Sequence, residues 1–154
     1  MYDPDPGPAR DVLALVNEIP RAFFRLSAIA DDLFADLGVG APERGVLRDL
    51  FVEGEASAPE FARRRAVSRQ AMQAVLDRLV EKGLVRAEAN PRHKRSMNYV
   101  LTKAGIETCV ELQRRELAKI ESLKARIGPA DFAAAATALS ALNRALAAVL
   151  DQRG

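Results

Sequence analysis

The chain has 154 residues, 49% apolar, 29% charged and 5% aromatic, the balance of a soluble globular protein rich in helix formers. A single cysteine, Cys109, and a single histidine, His93, exclude an internal disulfide and argue against a cysteine- or histidine-built zinc site, so neither metal nor cofactor is expected. The formal net charge is only +2, yet Ser57 to Lys103 holds eleven Lys and Arg against four acids, net +7, leaving twelve against seventeen elsewhere, net −5.

In chain order, residues 1–10 are acidic and proline-rich and read as a flexible tail rather than a basic secretory leader. From Asp11 to Leu37, apolar positions recur every three or four residues (Leu15, Ile19, Phe23, Leu26, Leu33, Leu37), predicting one long amphipathic helix, bent near Pro20. Gly38-Val39-Gly40 ends it. A second helix is expected from Ala41 to about Val52, with Val46, Leu47, Leu50 and Phe51 inward, and then a turn at Gly54-Glu55-Ala56.

Ser57 and Glu60 have the spacing of a capping box, which opens a short helix to about Arg64. A tight connection, Arg65-Ala66-Val67, precedes Ser68, which caps a helix from Arg69 to Lys82 whose apolar face is Ala71, Met72, Val75, Leu76 and Leu79. Gly83 stops that helix. Two strand-like runs, Leu84–Glu88 and Met97–Leu101, flank a basic tip and form a β-hairpin. Thr102 then caps a helix to about Arg126, with Ile106, Cys109, Val110, Gln113, Leu117, Ile120, Leu123 and Ile127 along its stripe. After Gly128-Pro129, an alanine-rich helix runs from Ala130 to about Gln152. No stretch reaches the ~18–20 continuous apolar residues of a membrane span, so a cytoplasmic protein with no membrane partner is expected.

Helix, tight turn, helix and hairpin, with the positive charge gathered on them, is the layout of a module that reads double-stranded DNA. A helix fits the ~12 Å major groove, where arginine pairs with guanine O6/N7 and glutamine with adenine N6/N7. Arg69, Gln70 and Gln73 are the candidate base readers. Arg92, His93, Lys94 and Arg95 form the hairpin tip, and an arginine there suits a narrow minor groove. Ser57, Arg65, Ser68 and Arg78 complete the candidate DNA-binding set; a solvated arginine face at 63–65, or pairing of Arg78 with Asp77 or Glu81, is the structural alternative.

The run from Val67 to Val85 resembles the recognition helix and wing entry of the MarR family of bacterial transcriptional regulators. Asn90-Pro91-Arg92-His93-Lys94-Arg95-Ser96 resembles that family's wing tip, and Leu101-Thr102-Lys103-Ala104-Gly105 its "LTxxG" entry to the next helix. The resemblance implies a mainly α fold with a β-hairpin wing: a winged helix-turn-helix at 38–103, flanked by dimerisation helices at 11–37 and 104–154. Two departures stand out. His93 occupies the place of an aspartate that helps orient the wing arginine, here Arg95, and Ala74 stands where arginine is frequent.

Two reading heads on a pseudo-palindrome give the specificity that one small head lacks, and the long end helices carry more apolar surface than one winged helix can cover. The resemblance further implies a homodimer and a small aromatic or anionic effector, with Phe23, Phe24, Arg25, Arg48 and Phe51 as candidate contacts. Cys109, beside an apolar stripe, reads as a buried inert thiol rather than a redox sensor. The reading is a DNA-binding regulator, most often a repressor; the alternative is a winged-helix module for protein contact or non-specific DNA binding. Lacking a phosphate loop, a metal cluster or a nucleophile–base motif, the sequence offers no catalytic residues, and an enzyme is not expected.

Overall fold

Capping residues and glycines set where the helices begin and end. In the computed structural model, which describes residues 7–152, α1 runs Gly7–Leu33, α2 Ala41–Glu53, α3 Ala58–Arg64, α4 Arg69–Glu81, α5 Lys103–Ile127 and α6 Phe132–Asp151. β1 is Ala56–Ser57, β2 Val85–Ala89 and β3 Met97–Leu101, in an antiparallel sheet of order β1-β3-β2. The fold is mainly α with a small winged sheet, as the sequence leads one to expect.

Two compact units divide the chain. One spans 33–126 and holds α2 to α5 with the sheet; the other combines the N-terminal segment to Asp32 with Ile127 onward, that is, α1 and α6. Most of α5 falls in the same compact unit as the winged helix. In the first unit, Val46, Leu47 and Leu50 of α2 pack with Phe61 of α3, Met72, Leu76 and Leu79 of α4, Val85 of β2 and Tyr99 of β3 to make the core. Each fully buried aliphatic or aromatic side chain adds roughly 1.5–3 kcal/mol.

Several boundaries differ from expectation. α1 begins at Gly7 rather than Asp11, because Pro8 falls in its first turn, where the missing N–H costs nothing. The rest of the expected tail, Met1–Pro6, lies outside the described residues. Pro20 is inside α1, and the helix ends at Leu33, short of Leu37; a 3-10 turn at Ala35–Leu37 follows. The turn foreseen at 54–56 gives way to β1, whose Ala56 and Ser57 pair with Tyr99 and Asn98. Two residues are too few for any alternation to announce a strand.

α5 also presents a different face. Gly105, Cys109 and Leu112 turn inward, while Ile106, Val110, Leu117 and Ile120 are exposed. The cause is the joint at its start. Thr102 Oγ1 donates to Gly83 O at 2.7 Å and accepts from Gly105 N at 3.0 Å, and Thr102 N donates to Leu84 O at 3.0 Å. A Cβ on Gly105 would lie 2.0 Å from Leu84 O. Only a glycine allows α5 to start there, and its place fixes the rotation of the whole helix.

The second unit leaves its apolar surface open. Neither α1 nor α6 buries a residue, and Leu13, Phe23, Phe24 and Leu26 on α1 and Phe132, Leu146, Val149 and Leu150 on α6 are exposed. Asp131 caps α6 by accepting from Ala134 N at 2.9 Å. Contrary to the sequence reading, α6 is long and apolar enough to cross a membrane by length and composition, with mean hydropathy 1.5. Thr137, Ser140, Asn143 and Arg144 interrupt its apolar run without bringing the average down.

Gly105→Ala forces the Leu84 carbonyl or the start of α5 to move and is expected to destabilise the protein by about 3 kcal/mol, the scale of overpacking against an unyielding neighbour. Urea unfolding at matched pH measures it; a change below about 1 kcal/mol, the range of ordinary substitutions, would show that the joint yields.

Candidate nucleic-acid interface

α3 and α4 form a helix-turn-helix whose parts are each capped locally. Ser57 donates its backbone N–H and its hydroxyl to Glu60 Oε2, both at 2.7 Å. These bonds hold the Glu60 carboxyl below its usual pKa, the Ser57 N–H being the largest influence. Ser57 is buried, so it serves the helix start and the sheet rather than a ligand, a correction to its assignment as a DNA contact. At the turn, Ala66 adopts φ 51°, a left-handed conformation that costs a non-glycine residue roughly 1–2 kcal/mol. Val67 N to Ala62 O at 3.0 Å and Ala66 N to Arg63 O at 3.2 Å hold it there. Ser68 Oγ accepts from Ala71 N at 3.1 Å, capping α4 as its position suggested.

With Met72, Val75, Leu76 and Leu79 facing the core, α4 presents Arg69 and Gln70 to solvent. Gln73, expected to be equally free, is half-buried. Its Nε2 donates to Asp77 Oδ1 at 2.8 Å and to the hydroxyl of Tyr99 on β3 at 2.9 Å, tying the recognition helix to the wing. Arg69, Gln70 and Gln73 line one cleft with Arg95, Ser96 and Met97 of the wing, its floor formed by Ala58, Pro59 and Tyr99, with a volume of about 550 Å³.

The wing tip is organised by Asn90, which the sequence reading placed in the tip but gave no role. Buried, it accepts from Arg92 N at 2.9 Å through Oδ1 and donates to Ser96 Oγ at 3.2 Å through Nδ2. His93 N donates to Asn90 O at 3.3 Å and Ser96 N to His93 O at 3.0 Å. The signal was there in Asn-Pro, a turn-initiating pair whose side-chain oxygen mimics a backbone turn. The result exposes Arg92, His93, Lys94 and Arg95 together.

Other candidate cations are engaged. Arg65 makes a bidentate pair with Asp49 at 2.7 and 2.9 Å, its guanidinium lying where a Cβ on Gly45 would be 2.3 Å away. Arg78 pairs with neither Asp77 nor Glu81 but with Glu43, at 3.1 Å. Glu43, from the first turn of α2, is buried and also accepts from Lys82 Nζ at 2.6 Å and Gly40 N at 2.9 Å. Burial alone would raise its pKa, but the bonds from Lys82, Gly40 and Arg78 outweigh this and the net shift is downward. This charged knot joins the start of α2 to the end of α4 across 39 positions.

The effector candidates are divided. Arg48 and Phe51 line a cavity of about 210 Å³ with Arg44, Leu112 and Gln113, and Arg48 is ion-paired with Glu116. Cys109 borders the same cavity; burial pushes its thiol up to about 11, so it is protonated at neutral pH. Phe24 and Arg25 are exposed on α1, where Phe23 and Phe24 meet edge to face at 5.6 Å.

Residues 38–96, which hold α2, the helix-turn-helix and the wing up to its tip, match the MarR family model. Over those residues the chain is similar to the MarR family. No curated protein matches the chain in sequence. Among solved structures, a MarR family transcription regulator is similar over 93% of this chain and 95% of its own, at 22% identity and TM-score 0.73. A mutant MarR from E. coli complexed with operator DNA is similar over 77% of this chain and 96% of its own, at 22% identity and TM-score 0.60. NadR in complex with 4-hydroxyphenylacetate is similar over 84% and 89%, at 18% identity and TM-score 0.70. At these identities the likeness concerns the fold, and the MarR-type fold extends well beyond the matched winged helix.

A carboxyl whose pKa falls on folding adds stability that is complete above its unfolded value of 4.5 and is lost as pH drops through the folded one. Glu43→Ala removes the buried partner of Arg78 and Lys82, whose own side chains reach solvent, and is expected to destabilise by about 1–2 kcal/mol at neutral pH. The deficit should shrink as pH falls below 4.5 and through the lowered folded value, where the wild type too becomes protonated. Urea melts across that range check this, and an undiminished deficit would rule out the charge as its source.

Proposed function

We propose that this chain is a MarR-type DNA-binding transcriptional regulator, a repressor that reads a pseudo-palindromic operator in the cytoplasm as a homodimer. The observation that carries the reading is the single cleft onto which Arg69, Gln70 and Gln73 of α4 and Arg95 of the wing all open. Base-edge donors and acceptors on one helix, beside an exposed row of cations one hairpin away, match a major groove and the flanking backbone or minor groove. The relative solved with operator DNA supports the same mode. Arg69, Arg92, Lys94 and Arg95 are exposed and, among the described residues, have no acid partner, which suits them to phosphates and bases. Ser68 sits at the start of α4, where backbone N–H groups suit a phosphate; Arg65 and Arg78 would reach DNA only by exchanging Asp49 and Glu43 for phosphate.

The reading head is assigned to 38–103, and 11–37 with 104–154 to dimerisation. Exposed apolar residues along α1 and α6 support this, since a second copy would cover them. A small aromatic or anionic effector suits the cavity bordered by Arg48 and Phe51, while Phe24 and Arg25 on α1 are separate candidates; the NadR complex supports an aromatic carboxylate class. No enzymatic activity is proposed.

Titrating salt while the protein binds its own upstream region or random DNA of equal length tests the core of this reading. Preference for the upstream region by about a thousandfold or more marks a sequence-specific regulator, and equal affinity would reduce it to a non-specific binder. Arg95→Ala is expected to weaken specific binding by about 1–3 kcal/mol.

Sedimentation equilibrium should give twice the 16.8 kDa chain mass. Val149→Glu, on the exposed apolar face of α6, is expected to shift that mass towards one copy. A wild-type protein that sediments as a monomer at micromolar concentration would exclude the dimer.

A further inference from the structure

Gln70 and Gln73 lie one turn apart on α4 and border the same cleft, yet their amides are not equivalent. Gln70 is exposed, and no side-chain bond fixes its amide among the described residues. Gln73 is held twice, by Asp77 Oδ1 at 2.8 Å and by the Tyr99 hydroxyl at 2.9 Å. The Asp77 carboxylate can only accept, so the Gln73 atom facing it must be the NH2 nitrogen. An amide nitrogen has two hydrogens, and both are used within this chain. Only the carbonyl oxygen, an acceptor, remains for a ligand in the cleft.

We infer, on the reading that α4 enters the major groove, that Gln73 is an acceptor-only specificity residue that selects an amino base, adenine or cytosine, while Gln70 reads adenine alone. The distinction follows from the groove chemistry. Bidentate recognition of adenine needs a donor towards N7 and an acceptor towards N6, and Gln70 has both. Gln73 has no donor left for N7. Its oxygen takes a hydrogen from adenine N6 or cytosine N4 equally, and meets another acceptor at guanine O6 or thymine O4. The operator position under Gln73 should therefore be degenerate between A and C and closed to G and T. Asp77 and Tyr99 are positioning residues in this scheme, acting by fixing the amide.

Selection of duplexes from a randomised pool by the full-length protein tests this, with Gln73→Ala and Gln70→Ala locating the two positions. Wild type should favour A and C about equally over G and T at the Gln73 position, by about three- to tenfold, as for one hydrogen bond gained against one repelled acceptor. At the Gln70 position A alone should be enriched. Asp77→Ala, at an exposed site, frees the amide, and the Gln73 position should then narrow towards A. Tyr99→Phe, which keeps the buried ring, should move it the same way and covers the event that Asp77→Ala folds poorly. A wild-type preference for A alone that neither variant alters overturns the inference while leaving sequence-specific recognition intact. So does a Gln73→Ala variant whose preferences match wild type at every position. Absence of enrichment for any sequence would overturn the regulator reading, and this inference with it.

Discussion

The joint where Thr102 and Gly105 close onto Gly83 and Leu84 governs how α4, the wing and α5 are arranged. It lies where α4 ends, the hairpin begins and α5 departs, so one short stretch of backbone sets three directions. A side chain at Gly105 would need the space that the Leu84 carbonyl occupies, and a residue without a hydroxyl at position 102 would lose bonds to both Gly83 and Gly105. Gly83 itself sits at φ 69°, where the left-handed turn out of α4 is free of the penalty a Cβ brings. With these fixed, the wing stands at a set angle to α4, and the Gln73–Tyr99 bond at 2.9 Å joins them a second time.

Electrostatics supplies a second framework beneath the first. The basic segment looks like a store of cations for a polyanion, but much of it is committed within the fold. Glu43 holds Arg78 and Lys82, Asp49 holds Arg65, and Glu53 pairs with Arg64 at 3.0 Å. These acids come from α2 and lie outside the stretch in which the positive charge was counted, so a local count overstates what is available to DNA. The cations left without an acid partner among the described residues include Arg63, Arg69 and the wing-tip Arg92, Lys94 and Arg95, and of these Arg69 and Arg95 border the cleft. Pairing Arg78 and Lys82 with the buried Glu43 carboxylate ties the end of α4 to the start of α2.

Helix starts and stops were legible because their causes are local. Ser57 with Glu60, Ser68 and Gly83 act within four residues, and the structure places each at its expected terminus, as it does the two hairpin strands. The short strand β1 was not legible, because two residues carry no period and their pairing partners are some forty positions away. The inward face of α5 was misjudged for a related reason: its periodicity allowed several stripes, and the choice fell to a backbone contact with Leu84. Among the site residues, those whose role is exposure (Arg69, Gln70 and the wing-tip cations) could be named in advance. Those whose role is defined by a distant partner could not, and Gln73, Arg65, Arg78 and Ser57 all changed character once Tyr99, Asp49, Glu43 and the sheet were in place.

By itself, then, the sequence determined the order of helices and hairpin, the caps that bound them, and the concentration of positive charge between residues 57 and 103, since each depends on neighbours within a turn or two. The tertiary structure alone decided which of those charges are spent on buried acids, which face of α5 turns inward, and which atom of Gln73 is left to meet a ligand. Those outcomes depend on groups from 11 to 62 positions apart meeting in space, and no local spacing in the chain encodes such a meeting.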